Sequence, residues 1–134
     1  MQRGNSLPHR TWLQLNEKRH RMRLAWDAFF EDWDLMLCPV AVGTAFPHDQ
    51  KGLRHLRTIT VNGKQVPVVD QIFWAGYAGI TLLPATAAPI GLSKDGLPIG
   101  VQIIGRQYGD YETIGFAKLL EKEYRSFEPP PAYR

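Results

Sequence analysis

Hydrophobic positions recur at helical spacing through the first third of the chain, where Leu15, Met22, Trp26, Phe29 and Trp33 follow one another at steps of seven, four, three and four. Such steps return to one side of a 3.6-residue helix, so these side chains form a stripe while Lys18, Arg19, Arg21 and Arg23 mostly cover the remainder. The pattern predicts an amphipathic helix over about 11–32, docked on a core. Thr11, followed three residues later by Gln14, has the form of a capping box, in which each side chain satisfies a free backbone N–H at the helix start.

The pattern then changes period. Residues from about 34 to 39, Asp-Leu-Met-Leu-Cys-Pro, form a short continuous apolar run closed by proline, as expected of a strand buried on both faces. A loop follows, and the segment from about 57 to 69 flanks Asn62-Gly63, a pair that predicts a hairpin because both turn residues need positive φ. Asp70 is placed to cap a nearly all-apolar helix through Phe73, Trp74 and Tyr77, ended near Gly79. Strands over about 85–92 and 97–104 are joined by Ser93-Lys94-Asp95-Gly96, a turn-forming tetrapeptide. In the second strand Ile99, Val101 and Ile103 alternate with Gly100 and Gln102, which predicts one core face. A last helix over about 110–126 would start at a capping Asp110 and bury Phe116, Ala117, Leu120 and Tyr124, before Pro129, Pro130 and Pro131 stop regular structure. This order suits an α/β fold, a mixed β-sheet flanked by helices.

Composition adjusts this picture only modestly. At 134 residues the chain fits one domain, and its 44% hydrophobic and 22% charged residues exclude disorder, collagen and disulfide-rich scaffolds. The net charge of +3 is local, concentrated in Arg10, Lys18, Arg19, Arg21 and Arg23 beside His9 and His20, as expected of a solvated helix face. Cys38 is the single cysteine, so no intrachain disulfide forms and a structural zinc site is not expected. Neither a signal core nor a run of roughly 18 apolar residues is present, so the chain reads as cytoplasmic, with no membrane partner.

The search for chemistry finds no self-contained catalytic motif. Gly91 to Gly96 is one residue too long for the G-x-S-x-G elbow, and Ser93 reads as a turn residue. Ser6 and Ser126 lie near the ends, and no S-x-x-K spacing occurs. Cys38 with His48 as base is the alternative nucleophile, but burial among Leu35, Met36, Leu37 and Val40 favours a core thiol. His48, Asp49 and His55 lack zinc-ligand spacing, and the glycines match neither a P-loop nor a dinucleotide fingerprint. Pro130-Pro131-Ala132-Tyr133 matches the short PPxY pattern, which reads as a plain tail ahead of a partner motif.

Two blocks are more informative when read whole: Leu83 to Leu92, Leu-Pro-Ala-Thr-Ala-Ala-Pro-Ile-Gly-Leu, and Asp95 to Gly105, Asp-Gly-Leu-Pro-Ile-Gly-Val-Gln-Ile-Ile-Gly. Together with the Asp110-led helix, Asp34 to Pro39 and Ala45-Phe46-Pro47-His48-Asp49, they resemble the C-terminal region of amidase-signature enzymes, over about residues 12–133. The stretch from Gly79 to Pro84 is longer than the Gly-Leu-Pro-Ala pattern of family members.

The resemblance implies an enzyme roughly three to four times as long, with a mixed sheet between helices and a Ser-cisSer-Lys triad. In that triad the lysine, through the bridging serine, deprotonates the nucleophile, and backbone N–H groups hold the oxyanion. It implies no metal and no organic cofactor. The chain has no Gly-Gly and no Ser-Ser pair, so none of the triad is carried over and the catalytic set belongs before residue 1. What is implied here is scaffold and one wall of the substrate channel, with Asp70, Gln71, Trp74 and Thr86 as expected substrate contacts. The expected partners are the N-terminal catalytic part of the same amidase, a small-molecule amide, and further copies of the chain wherever strand edges stay open. The competing reading, a standalone binding module using the basic helix on an anionic partner, lacks an aromatic-basic stacking platform, and no nucleic acid is expected.

Overall fold

The computed structural model describes residues 2–129, with the side chains of 4–129; the Pro130 to Tyr133 pattern lies outside them. Its helices are α1 (Gln2–Asn5), α2 (His9–Asp32), α3 (Phe73–Thr81) and α4 (Asp110–Glu123). Its strands are β1 (Leu35–Pro39), β2 (Thr58–Val61), β3 (Lys64–Pro67), β4 (Ala85–Leu92) and β5 (Pro98–Gly105), with 3-10 turns at Arg54–Leu56 and Val68–Ile72. The class is α/β. The described strands pair antiparallel, as a three-stranded sheet in the order β1-β5-β4 and a separate β2-β3 hairpin.

Register and alternation assign the two faces of the main sheet. Met36, Ile104 and Ala85 lie opposite one another, as do Cys38, Gln102 and Ala87, so these share one face. Leu37, Ile103 and Thr86 share the other. The first face meets α3 and the end of α2, where Cys38, Ala78, Leu83 and Ile104 form a buried cluster packed by Trp26, Phe30, Met36, Trp74 and Tyr77. The second face meets α4. Ile103 and Ile104 retain no accessible surface, and burying each contributes about 1.5–3 kcal/mol.

The two local turns follow from side-chain chemistry. Asn62 (φ 49°) and Gly63 (φ 74°) both take positive φ, and Val61 pairs with Lys64 across them. In the β4-β5 connection, Ser93 Oγ accepts the N–H groups of Asp95 (3.2 Å) and Leu97 (3.1 Å), while Gly96 takes φ 75°.

Several expectations are corrected. Helix α2 begins at His9, not Thr11; Pro8 stands at its N-cap, accepts the Trp12 N–H at 3.1 Å, and no side chain caps the start. Of the expected stripe only Trp26 and Phe29 are even partly covered, while Leu15, Met22 and Trp33 are exposed. The half-buried line is instead Asn16, Arg19, Arg23, Trp26 and Phe30, set by the Trp26 contacts with Tyr77 and Phe30 and by a 2.5 Å bond from Arg23 Nη2 to Gln107 Oε1. Asp70 caps nothing: it sits inside the Val68–Ile72 turn, and α3 starts three residues later with Ile72 at its N-cap. That helix passes Gly79 and stops where Leu82 turns left-handed (φ 60°). Asp110 is the first residue of α4 rather than its cap, which is Gly109. Tyr124 falls just past the helix and is exposed, while Thr113, one turn before Phe116, takes a buried place.

Strand β1 is not buried on both faces. It is an edge strand; Cys38 is buried but Leu37 is 51% exposed, since α4 packs on β4 and β5 and no described element covers Leu37. Strand β5, by contrast, has a neighbour on each side, and its last four residues, Gln102 to Gly105, are all buried.

Candidate functional site

A concavity of about 720 Å³ lies between the 43–50 loop and the β2-β3 hairpin. Thr44, Phe46, His48, Arg54, Gln71 and Asp95 are among its lining residues. Its loop wall is held by short-range bonds. Arg57 donates from Nε to the Lys51 carbonyl (3.2 Å) and from Nη2 to the Gly52 carbonyl (3.1 Å), and Asp49 Oδ1 accepts the Lys51 N–H at 2.9 Å. On the hairpin, Gln65 Nε2 donates across the strands to Thr60 Oγ1 at 2.8 Å. These contacts set the backbone and leave the cleft lined by guanidinium, imidazole, carboxamide and carboxylate groups.

Three of the four expected contact residues lie in one stretch at this side of the sheet. Gln71 lines the cleft, and Asp70 beside it is exposed on the same 3-10 turn. Trp74 is the second residue of α3, its ring stacked on Tyr77 (centroids 5.7 Å apart) and edge-on to Phe73 (5.3 Å), with its body against the buried cluster. Thr86 belongs elsewhere. It faces α4 on the opposite side of the sheet, and its hydroxyl donates to Thr113 Oγ1 at 2.9 Å. The sheet therefore separates Thr86 from Trp74, which packs against the opposite face.

The pattern of alternation does not reveal Gln102. Read along β5 it is the polar partner of an apolar face, yet it is buried, donating from Nε2 to the Trp74 carbonyl (3.1 Å) and to Cys38 Sγ (3.2 Å). It ties α3 to the sheet and so positions the Trp74 segment. Thr113 is also buried; its hydroxyl donates to the Asp110 carbonyl at 2.9 Å and accepts from Thr86. Helical spacing from Phe116, Ala117 and Leu120 back by one turn would have found it.

Neither serine nor cysteine is among the residues lining the cleft. Cys38 is buried beneath α3 and is not among the lining residues, so the Cys38-His48 pair is not assembled. Ser93 is occupied in its turn. Among the described residues no group of three or more His, Cys, Asp and Glu side chains gathers as a metal set, and no helix is long and apolar enough to cross a membrane. On α2, Arg19 bonds Asn16, Arg21 pairs with Glu17, and Arg23 holds Gln107, so three of the basic side chains engage their own chain.

The main sheet thus carries helices on both faces, and the cleft is lined by hydrogen-bonding groups without serine or cysteine. The chain belongs to the amidase family, whose family model matches residues 1–114. It is 31% identical over 117 residues to a glutamyl-tRNA(Gln) amidotransferase subunit of Wolinella succinogenes, covering 83% of this chain and 22% of that protein. It is 30% identical over 125 residues to the indoleacetamide hydrolase of Bradyrhizobium diazoefficiens, covering 89% of this chain and 21% of that protein. The solved glutamyl-tRNA(Gln) amidotransferase subunit of Thermotoga maritima superposes with a TM-score of 0.66 at 23% identity, over 90% of this chain and 25% of that one, which speaks to fold alone. The chain thus spans about a fifth of the length of the curated relatives it matches.

Proposed function

We propose that this chain is the C-terminal portion of an amide hydrolase that converts a carboxylic acid amide and water to a carboxylate and an amine or ammonia. It contributes three strands, their covering helices and one wall of the substrate channel. The attacking serine, the bridging serine and the lysine come from the larger enzyme, outside these residues. The observation that carries this reading is a cleft lined by polar side chains among which neither serine nor cysteine is found, on a chain whose family match runs over residues 1–114. Gln71 and Asp70 supply hydrogen-bonding and charge at the wall, Trp74 backs them with an apolar surface, and Thr86 acts from the far face by holding β4 to α4. We place the enzyme in the cytoplasm, in line with a lone unpaired cysteine.

Incubating the isolated chain with simple aryl and alkyl amides and following ammonia or amine release tests the reading. No turnover is expected. Turnover that survived both Ser93→Ala and Cys38→Ala would place the chemistry elsewhere in the chain and overturn it, and turnover abolished by either variant would identify an unexpected nucleophile. In the complete enzyme, Gln71→Ala is expected to raise KM more than it lowers kcat, because a wall contact acts on bound substrate and not on the reacting bond.

A further inference from the structure

Arg57 stands at the junction of the elements that frame the cleft. It follows the Arg54–Leu56 turn, with its amide bonded to the Arg54 carbonyl (3.2 Å), and leads into β2 at Thr58. Its own carbonyl accepts the Val68 N–H at 2.9 Å, where the Val68–Ile72 turn that carries Asp70 and Gln71 begins. Its side chain reaches the other way, to the carbonyls of Lys51 and Gly52 at the end of the loop wall. Backbone therefore ties Arg57 to the turn, and the guanidinium ties it to the loop.

The partners of that guanidinium say what it is for. Among the described residues no carboxylate lies within ion-pair distance of it. Asp49, its nearest acid along the chain, accepts the Lys51 N–H instead. A guanidinium is a planar fork whose donors have fixed directions, so bonds to two successive carbonyls set the orientation of the loop as well as its distance. An ammonium in its place would act as a point charge and set distance alone. Gly52 takes φ 66°, in the left-handed region that glycine favours, and its carbonyl and that of Lys51 meet the same fork. Arg57 is half-buried and lines the cleft together with Gln71 and the 43–50 loop. These bonds lie within the chain and are complete without any further segment.

We infer that Arg57 is a positioning residue for the cleft: its guanidinium holds the loop wall at a set spacing from Gln71, and it acts on a bound amide through that spacing and not through its charge. The substrate role rests on the amide-hydrolase reading. The clasp rests on the hydrogen bonds alone.

Two measurements test the two halves separately. In this chain, proton exchange at the Arg57 side-chain Nε–H is read by NMR; bonded to the Lys51 carbonyl, it should exchange at least about tenfold more slowly than that of exposed Arg54. Equal rates would overturn the clasp. In the complete enzyme, Arg57→Met should raise KM about fivefold with kcat within about twofold, and Arg57→Lys, which keeps the charge without the fork, should not restore it. Introduced into Gln71→Ala, Arg57→Met should raise KM less than about twofold, because the contact whose spacing it sets is already gone. A purely structural role predicts the same effect in both backgrounds, and that result, or full rescue by Arg57→Lys, would overturn the inference. Should Arg57→Met fail to fold by circular dichroism, Arg57→Lys and the exchange rates of the unsubstituted chain still decide. A complete enzyme that hydrolyses no amide would overturn the amide-hydrolase reading and the substrate role with it, while the clasp stands or falls on the exchange rates.

Discussion

On the α4 side of the sheet, Gly105 lies so close to the helix that an added Cβ would stand 2.8 Å from Thr113 Cγ2, and Thr86 and Thr113 exchange a hydrogen bond over it. On the α2 side, Leu13, Leu15, Met22 and Leu24 remain about half exposed along a 24-residue helix with no buried residue. Both regions are rich in apolar residues, but α2 packs only through its end, at Trp26 and Phe30, and stays open before it. The difference teaches that hydrophobic content along a chain marks surface that needs cover, while the cover itself can come from another segment. The α4 side is completed by sequence neighbours within some thirty residues, and the α2 side is completed, in the amidase reading, by parts of a protein of which this chain matches about a fifth.

Unfolding in urea at one fixed protein concentration measures how deep that difference runs. The largest effect is expected from Ile104→Ala, which empties a fully enclosed site in the cluster with Cys38, Ala78 and Leu83 and should cost about 2–5 kcal/mol. Gly105→Ala should follow at about 1–3 kcal/mol, because backbone at Gly109 (3.3 Å from the new methyl) and the Thr113 side chain must give way. Gln102→Leu should cost about 1–3 kcal/mol by leaving the Trp74 carbonyl without its donor; the same variant in the complete enzyme should raise KM if Gln102 positions the wall. Leu24→Ala should change stability by no more than about 0.5 kcal/mol, since 53% of the leucine is already exposed. A Leu24→Ala effect as large as that of Ile104→Ala would break the comparison, because it would mean that α2 is packed in solution by something the single chain does not contain.

The β2-β3 hairpin was legible in Asn62-Gly63, the β4-β5 turn in Ser93 and Gly96, and the core thiol in the apolar run around Cys38. The candidate wall was legible only in part. The resemblance brought Asp70, Gln71, Trp74 and Thr86 together, but spacing along the sequence could not say that Thr86 points through the sheet toward α4. Gln102 was missed because alternation in one strand reports a polar position without reporting what lies over it. The helix starts at Thr11 and Asp70 were misplaced for a related reason: the side chains that suit capping are common, and here Pro8 and Ile72 occupy the N-cap positions without any side-chain bond.

By itself, then, the sequence determined where the chain turns and where apolar runs begin, because glycine, asparagine and serine act on the backbone within two or three residues of their own position. Only the tertiary structure decided that β5 lies between two strands, that Gln102 is interior and Leu37 is not, and which line of α2 meets the sheet. Burial is a property of neighbours, and Cys38 and Gln102, 64 residues apart, become neighbours only when the strands pair.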